Sequence, residues 1–372
     1  MRGTRVRNLF ALALLLLLLC GNNPAQAQAR EAIKDGAQQF AALGDFKLQG
    51  GAVVHDFRLG YRILGKLNAD RSNAILWPTW LGGKTEDLLQ FIGPGKVVDS
   101  SKYFVILVDS ISNGISTSPS NSASQPKMKF PSIAIRDMVE SEHRFLTEFM
   151  QITHLRAVMG VSMGGMQTFE WAVAYPDFMD LSIPIVGSPQ STSYDKLLWT
   201  AEIDAMKLDP GWNNGNPTGT FTRGVVLSEE IGSMNLTTPG YRVNHTKPEE
   251  FEKLETEIKK DASSDPGAVC DQIRQREAIL AHDIYREFGI SLGEAVKRVH
   301  SKMLVIVSWQ DHMVNPAPAV EFGQVLGAPI VDLESSCGHI STACVSVGPV
   351  VADFLDNPAS AHSETLKESP KK

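Results

Sequence analysis

Ser162 stands in the run Gly160-Val-Ser-Met-Gly-Gly-Met-Gln167, and the pattern Gly-x-Ser-x-Gly is a known way to expose a reactive hydroxyl. A serine hydroxyl is a poor nucleophile at neutral pH. It needs a base in hydrogen-bond reach, and the base needs a partner that orients it. The apolar run Leu155, Ala157, Val158, Met159 precedes the motif, and the helical pattern Met166, Phe169, Trp171, Ala172, Ala174 follows it. A sharp turn between strand and helix would lift Ser162 Oγ clear of the chain, with Gly160 and Gly164 as the small flanking residues it requires. The Met163 N–H then sits at a helix N-terminus, where partial positive charge can stabilise an oxyanion.

In a chain that carries its nucleophile this way, the acid and the base follow in the order Ser, Asp or Glu, His. Asp311 comes directly after the strand-like run Met303 to Ser308, which puts its carboxylate at the edge of a sheet. Asp332 and Glu334 are its rivals. His339 follows the loop Ser335-Ser-Cys-Gly and precedes the last helix, a place from which an imidazole can reach over the serine. His282, His300, His312 and His362 are less apt by position. The second oxyanion donor is expected from the loop Pro78-Thr-Trp-Leu-Gly-Gly, with the Leu81 N–H first and Trp80 as the alternative. Trp80, Gln167 and Ile340 flank these groups and are the candidate substrate contacts.

The elements that must position these residues are legible in outline. Residues 28–45 read as a short helical lead-in. Two segments with partial alternation follow, Phe46 to Val54 and Phe57 to Leu64, and read as an antiparallel start. Ala74 to Trp77, Tyr103 to Asp109 and Leu155 to Val161 read as buried strands, with helical patterns between them, including Ile135 to Met150. Strands alternating with helices imply an α/β fold, a mainly parallel sheet with helices on both faces. After Leu181 to Val186 the alternation stops. Residues 188–297 read as an inserted helical cap between core segments 28–187 and 298–357, with a disordered polar tail over 358–372.

The 372 residues carry a formal net charge of −7, which excludes the basic footprint of a nucleic-acid binder. Arg2, Arg5 and Arg7, the apolar run Leu9 to Cys20 and the small-x-small Ala25-Gln-Ala27 read as a signal peptide over 1–27. The expected product is a periplasmic or secreted protein with no stable membrane insertion. Cleavage leaves Cys270, Cys337 and Cys344. Buried free thiols are the first expectation for these, and a Cys337–Cys344 pair around His339 is the alternative. No close histidine or cysteine spacing indicates a metal, and the glycine turns match no dinucleotide or phosphate loop, so no metal and no cofactor are expected.

The set of motifs resembles the homoserine O-acetyltransferase family of the α/β-hydrolase superfamily. It comprises Tyr61-Arg-Ile-Leu-Gly-Lys-Leu-Asn-Ala-Asp-Arg-Ser-Asn-Ala, Ile92-Gly-Pro-Gly-Lys-Val-Val-Asp-Ser-Ser-Lys-Tyr-Phe-Val-Ile, Ile135-Arg-Asp-Met-Val, the elbow through Gln167, Glu170-Trp-Ala and Tyr175-Pro. The resemblance implies a Ser-His-Asp acyl-enzyme mechanism, a helical cap over a tunnel and a homodimer formed through the cap. Asp311 and His339 fall where that family carries its acid and base. Ile340 replaces the family's aspartate, Thr79 replaces a histidine in the oxyanion loop, and the cap arginine motif is not recognisable. A zwitterionic acceptor needs paired charges in a dry pocket, so these departures point to hydrolysis of a small-molecule ester. Acyl transfer to homoserine or another alcohol is the alternative, and a non-catalytic binding protein on the same scaffold is a third reading.

Overall fold

The computed structural model describes residues 35–368, so the expected signal peptide lies outside the described residues. The strands are β1 (Gln39–Lys47), β2 (Val53–Leu64), β3 (Ala74–Pro78), β4 (Phe104–Val108), β5 (Leu155–Val161), β6 (Met179–Ile185), β7 (Lys302–Met303), β8 (Val305–Val307), β9 (Ile330–Glu334) and β10 (Glu364–Lys367). They form one sheet in the order β1-β2-β4-β3-β5-β6-β8-β9-β10, with β7 beside β6. The two contacts of β2 are antiparallel, and every pairing from β4 to β10 is parallel.

β3 and β4 are apolar along their whole length because both faces are covered. Residues alternate between two cores: Ala74, Leu76, Ile106 and Val108 enter one, and Ile75, Trp77, Val105 and Leu107 the other. The helices are α1 (Thr85–Leu88), α2 (Ile135–Arg144), α3 (Met163–Ala174), α4 (Ser193–Lys207), α5 (Arg223–Leu236), α6 (Pro239–His245), α7 (Phe251–Asp261), α8 (Pro266–Ala281), α9 (Ile284–Phe288), α10 (Leu292–Arg298), α11 (Ala317–Leu326), α12 (Ser341–Cys344) and α13 (Gly348–Asp356). Met138, Met163 and Trp171 bring α2 and α3 to the first core, and Val351 and Phe354 bring α13 to the second. Among the described residues no single helix is long and apolar enough to cross a membrane.

The helices between β6 and β7 form the inserted region. Ile203, Met206, Phe221, Val225, Val269 and Ile273 give α4, α5 and α8 a small core of their own. Its returning end does not share that core. Ile284 of α9 and Ala295 of α10 pack with Phe169 and Ala172 of α3 and with Phe322 of α11.

Two expectations are corrected. From Gln39 onward the supposed helical lead-in is β1, with Ala41, Leu43 and Phe46 buried. Register shifts on either side of Gly44 break the period of two, so the pattern does not read as a strand. The polar tail is not disordered throughout. Glu364 to Lys367 pair with Val331 to Glu334 as an edge strand, and Leu366 packs on the second core. Main-chain bonds to an open edge hold a segment whose side chains look solvated.

One link between α2 and α3 is sensitive to pH. Trp171 Nε1 donates to Glu142 Oε2 at 2.7 Å, and burial pushes the Glu142 carboxyl from its ordinary value near 4.5 up to about 8. The folded state binds this proton more tightly than the unfolded chain, so its contribution is complete below pH 4.5 and lost as pH rises through 8. Glu142→Gln keeps an acceptor for Trp171 and removes the titration. Urea unfolding should find the variant no more stable than the parent near pH 4 and increasingly more stable towards pH 9. Parallel stability curves across that range would contradict this account.

Candidate active site

Ser162 caps α3 at φ 57° and ψ −121°, a backbone conformation unusual for a side chain with a Cβ. Its N–H donates to the Ile185 carbonyl at 2.9 Å, which ties the turn to β6. The turn closes so tightly that a Cβ on Gly160 would lie 2.3 Å from the Gly164 carbonyl oxygen, and one on Gly164 would lie 2.8 Å from that of Pro78. The two flanking glycines are therefore packing requirements as well as turn formers.

His339 Nε2 lies 2.7 Å from Ser162 Oγ, and His339 Nδ1 lies 2.7 Å from Asp311 Oδ2. All three side chains are buried. Asp311 Oδ1 accepts the N–H groups of Met313 (2.8 Å) and Val314 (2.9 Å), which leaves Oδ2 for the imidazole. The rivals are engaged elsewhere. Asp332 accepts the Trp309 N–H, and Glu334 pairs with Lys367. Among the histidines, His300 pairs with Asp177 and His282 Nε2 contacts the Ser188 carbonyl.

The loop after β3 is braced from three sides. Thr79 N–H donates to the Val108 carbonyl, Ser110 N–H donates to Thr79 Oγ1, and Gly82 N–H donates to Gln275 Oε1 at 2.8 Å. Gln275 is on α8 and donates from Nε2 to the Ile111 carbonyl, so the inserted region latches this loop directly. Among the described residues, no acceptor takes the N–H of Trp80, Leu81 or Met163. Those are the donors expected for an oxyanion. Trp80 and Leu81 also line a cavity of about 800 Å³ with Trp199, Glu202, Arg276 and Met313.

Gln167 requires correction as a substrate contact. It is fully buried, and its Nε2 lies 3.2 Å from each of the Thr79 carbonyl, Ser110 Oγ and the Met163 carbonyl. It props the two donor-bearing turns from within. Ile340 ends the short helical turn Gly338–Ile340 and is half-buried.

The histidine loop is fastened at both ends. Cys337 and Cys344 form a disulfide around His339, which corrects the expectation of free thiols; Cys270 is buried and free. The two cysteines are seven residues apart, close enough in sequence for a local clasp. Thr238, at the start of α6, donates from Oγ1 to the Ser336 carbonyl at 2.7 Å, so the inserted region grips this loop too. Asp195 of α4 accepts the Asn315 N–H at 2.9 Å and so holds the loop after Asp311. Burial raises the Asp195 pKa, and hydrogen bonds from Asn315 and Thr192 oppose the shift. Sequence reasoning missed Gln275, Thr238 and Asp195, since nothing local separates them from ordinary helix residues.

No family model matches the sequence. The chain is 32% identical to a probable esterase of Corynebacterium glutamicum over 84% of its length and 92% of that protein. It is 31% identical to an ethyl acetate hydrolase of Pseudomonas veronii over 90% of its length and 97% of that protein. Its fold superposes on the acetyl esterase MekB with a TM-score of 0.79 at 26% identity, covering 87% of this chain and 97% of that one.

The disulfide gives a direct test of the histidine loop. Closing a loop of this length contributes about 2–3 kcal/mol on a chain-entropy estimate. Replacing Cys337 and Cys344 together by serine should lower unfolding stability by that order and reduce turnover, because His339 lies inside the closed loop. Unchanged stability and turnover, measured by denaturant titration and ester hydrolysis, would show that the other contacts suffice.

Proposed function

The chain belongs to the α/β-hydrolase family that spans esterases and homoserine O-acetyltransferases, and we propose that it is a serine esterase that hydrolyses small neutral esters through an acyl-enzyme on Ser162. The observation that carries this reading is the unbroken chain of 2.7 Å contacts from Ser162 Oγ through His339 to Asp311 Oδ2. His339 Nε2 takes the hydroxyl proton as Oγ attacks the ester carbonyl. Asp311 holds the imidazole by Nδ1 and stabilises its charge once it is protonated. The N–H groups of Met163 and Leu81 receive the tetrahedral oxyanion, and each such donor contributes on the order of 10²–10³ in turnover. His339 returns the proton to the departing alcohol, then activates the water that frees the acid.

Taken as the approach to Ser162, which does not itself line it, the cavity beside Trp80 and Leu81 favours hydrolysis over transfer from a thioester cofactor. Its ionisable lining residues are Asp87, Glu202, Glu229 and Arg276. An acidic surplus repels the phosphates of a coenzyme A carrier and tolerates a neutral ester. The names of the similar esterases favour a short acyl group such as acetyl. The basic and then apolar start of the chain supports export, and the Cys337–Cys344 disulfide suits an oxidising compartment.

Product partitioning tests the reading. The protein and its Ser162→Ala variant receive p-nitrophenyl acetate with homoserine present, and mass spectrometry quantifies acetate against O-acetylhomoserine. Acetate should dominate, and the variant should lose roughly 10⁴-fold or more of turnover. A dominant O-acetylhomoserine product would transfer the assignment to the acyltransferase side of the family. Full activity in the variant would remove Ser162 from the mechanism.

A further inference from the structure

A second cluster of ionisable groups stands apart from Ser162, His339 and Asp311. Glu170 lies on α3, eight residues beyond Ser162 and so roughly 12 Å along the helix. His282 closes α8 and Glu287 lies on α9, where the inserted region returns to the core. A ring nitrogen of His282 and one carboxylate oxygen from each glutamate all lie within 4.8 Å of one another.

The hydrogen bonds fix what these atoms can still do. His282 Nε2 is 3.0 Å from the Ser188 carbonyl, which only accepts, so Nε2 carries the ring hydrogen. Nδ1 is then a bare lone pair, and it has no hydrogen-bond partner among the described residues. Glu170 Oε1 accepts from Arg136 at 3.1 Å, its Oε2 is buried with no donor facing it among the described residues while the glutamates are ionised, and Glu170 and Glu287 lie close enough to share a hydrogen bond when one of them holds a proton. His282 and Glu170 are both almost wholly buried. Acceptors gathered with no donor among them are costly unless a proton or a cation lies between them.

We propose that Glu170, His282 and Glu287 bind a divalent cation of the zinc class and so tie the helix that carries Ser162 to the returning end of the inserted region. One imidazole and two carboxylates are ordinary zinc ligands, and three protein ligands leave a position for water. The Ser188 carbonyl supplies the outer hydrogen bond that orients a metal-binding imidazole. Ligands about 2.1 Å from a tetrahedral ion lie roughly 3.4 Å apart, so the three ligand atoms, now within 4.8 Å of one another, would have to draw in on binding. Arg136 does not exclude a cation. It is shared with Glu140 at 2.5 Å, and Glu140, Glu170 and Glu287 outnumber Arg136 and Arg286.

Zinc retention tests this without reference to esterase activity. Chelator-stripped protein is dialysed against low-micromolar zinc chloride, bound zinc is counted by mass spectrometry, and unfolding is followed by differential scanning fluorimetry. One zinc per chain and a raised unfolding temperature are expected. Glu287→Gln alters an exposed side chain, so the variant should fold as the parent does, bind zinc at least tenfold more weakly and lose the thermal shift. His282→Gln should behave in the same way where it folds. The proposal is overturned if no zinc is retained, or if zinc leaves the unfolding temperature unchanged. It is equally overturned if Glu287→Gln binds as the parent does, as it would were surface pairs such as His154–Asp180 the true ligands.

Discussion

The close approach at the turn between β5 and α3 is the constraint on which the rest of the site depends. A left-handed backbone at Ser162 costs on the order of 1–3 kcal/mol and persists only where the surroundings enforce it. Here they do so from both sides. The strand side delivers the Ser162 N–H to Ile185, and the helix side begins at once with the Met166 N–H donating to the Ser162 carbonyl. Gly164 lies so near the Pro78 carbonyl that the first residues of α3 and the end of β3 are in direct contact. That contact brings the Met163 N–H and the loop carrying Leu81 into one neighbourhood. The strained serine and the two N–H groups proposed to receive an oxyanion thus share a single origin.

The inserted region is more than a cover. Gln275 of α8 latches the loop after β3, Asp195 of α4 latches the loop after β8, and Thr238 latches the histidine loop. Each of the three loops that carries part of the candidate site is therefore hydrogen-bonded to the insertion, the histidine loop twice through Thr238. A change in the insertion's packing would reach the geometry around Ser162 through these bonds. Under the proposed mechanism, substitutions in the insertion far from the serine can therefore alter turnover as well as substrate choice.

The sequence made legible whatever depends on short-range pattern. β3 and β4 appear as continuous apolar runs because both of their faces are buried, β5 as an apolar run broken only by Arg156, and the turn at Ser162 appears because its neighbours must be small. Asp311 and His339 follow from their place after strand-like runs. Features set by distant partners were not legible. β1 is hidden by the register shifts around Gly44, and the edge strand at Glu364–Lys367 by its polar side chains. Gln167 looks like a substrate contact beside the motif, yet its amide is consumed by Thr79, Ser110 and Met163. Glu170 and His282 are more than a hundred residues apart, beyond any ligand spacing that can be read locally.

Neither Ser162 nor His339 lines the cavity, but Trp80 and Leu81 of the loop after β3 do, so its charges bear on an acceptor that approaches an acyl group on Ser162 from that side. An amino-acid acceptor brings a carboxylate and an ammonium, and each needs a dedicated partner out of water. Arg276 is the one cationic residue among the described residues that line the cavity, and its Nε donates to Glu202 at 2.6 Å with both side chains buried. Its Nη1 donates to Gln272 at 3.0 Å. A guanidinium already neutralised in this way gains little from a substrate carboxylate, and releasing Glu202 to bind one would strand a buried charge at a cost of several kcal/mol. Beside His339 the side chain is Ile340, which offers an ammonium nothing. Both ends of a zwitterion would therefore be left without partners, whereas water needs neither charge. Under the proposed mechanism the acyl-enzyme is released by hydrolysis because the pocket is furnished for a neutral ester and for no charged acceptor.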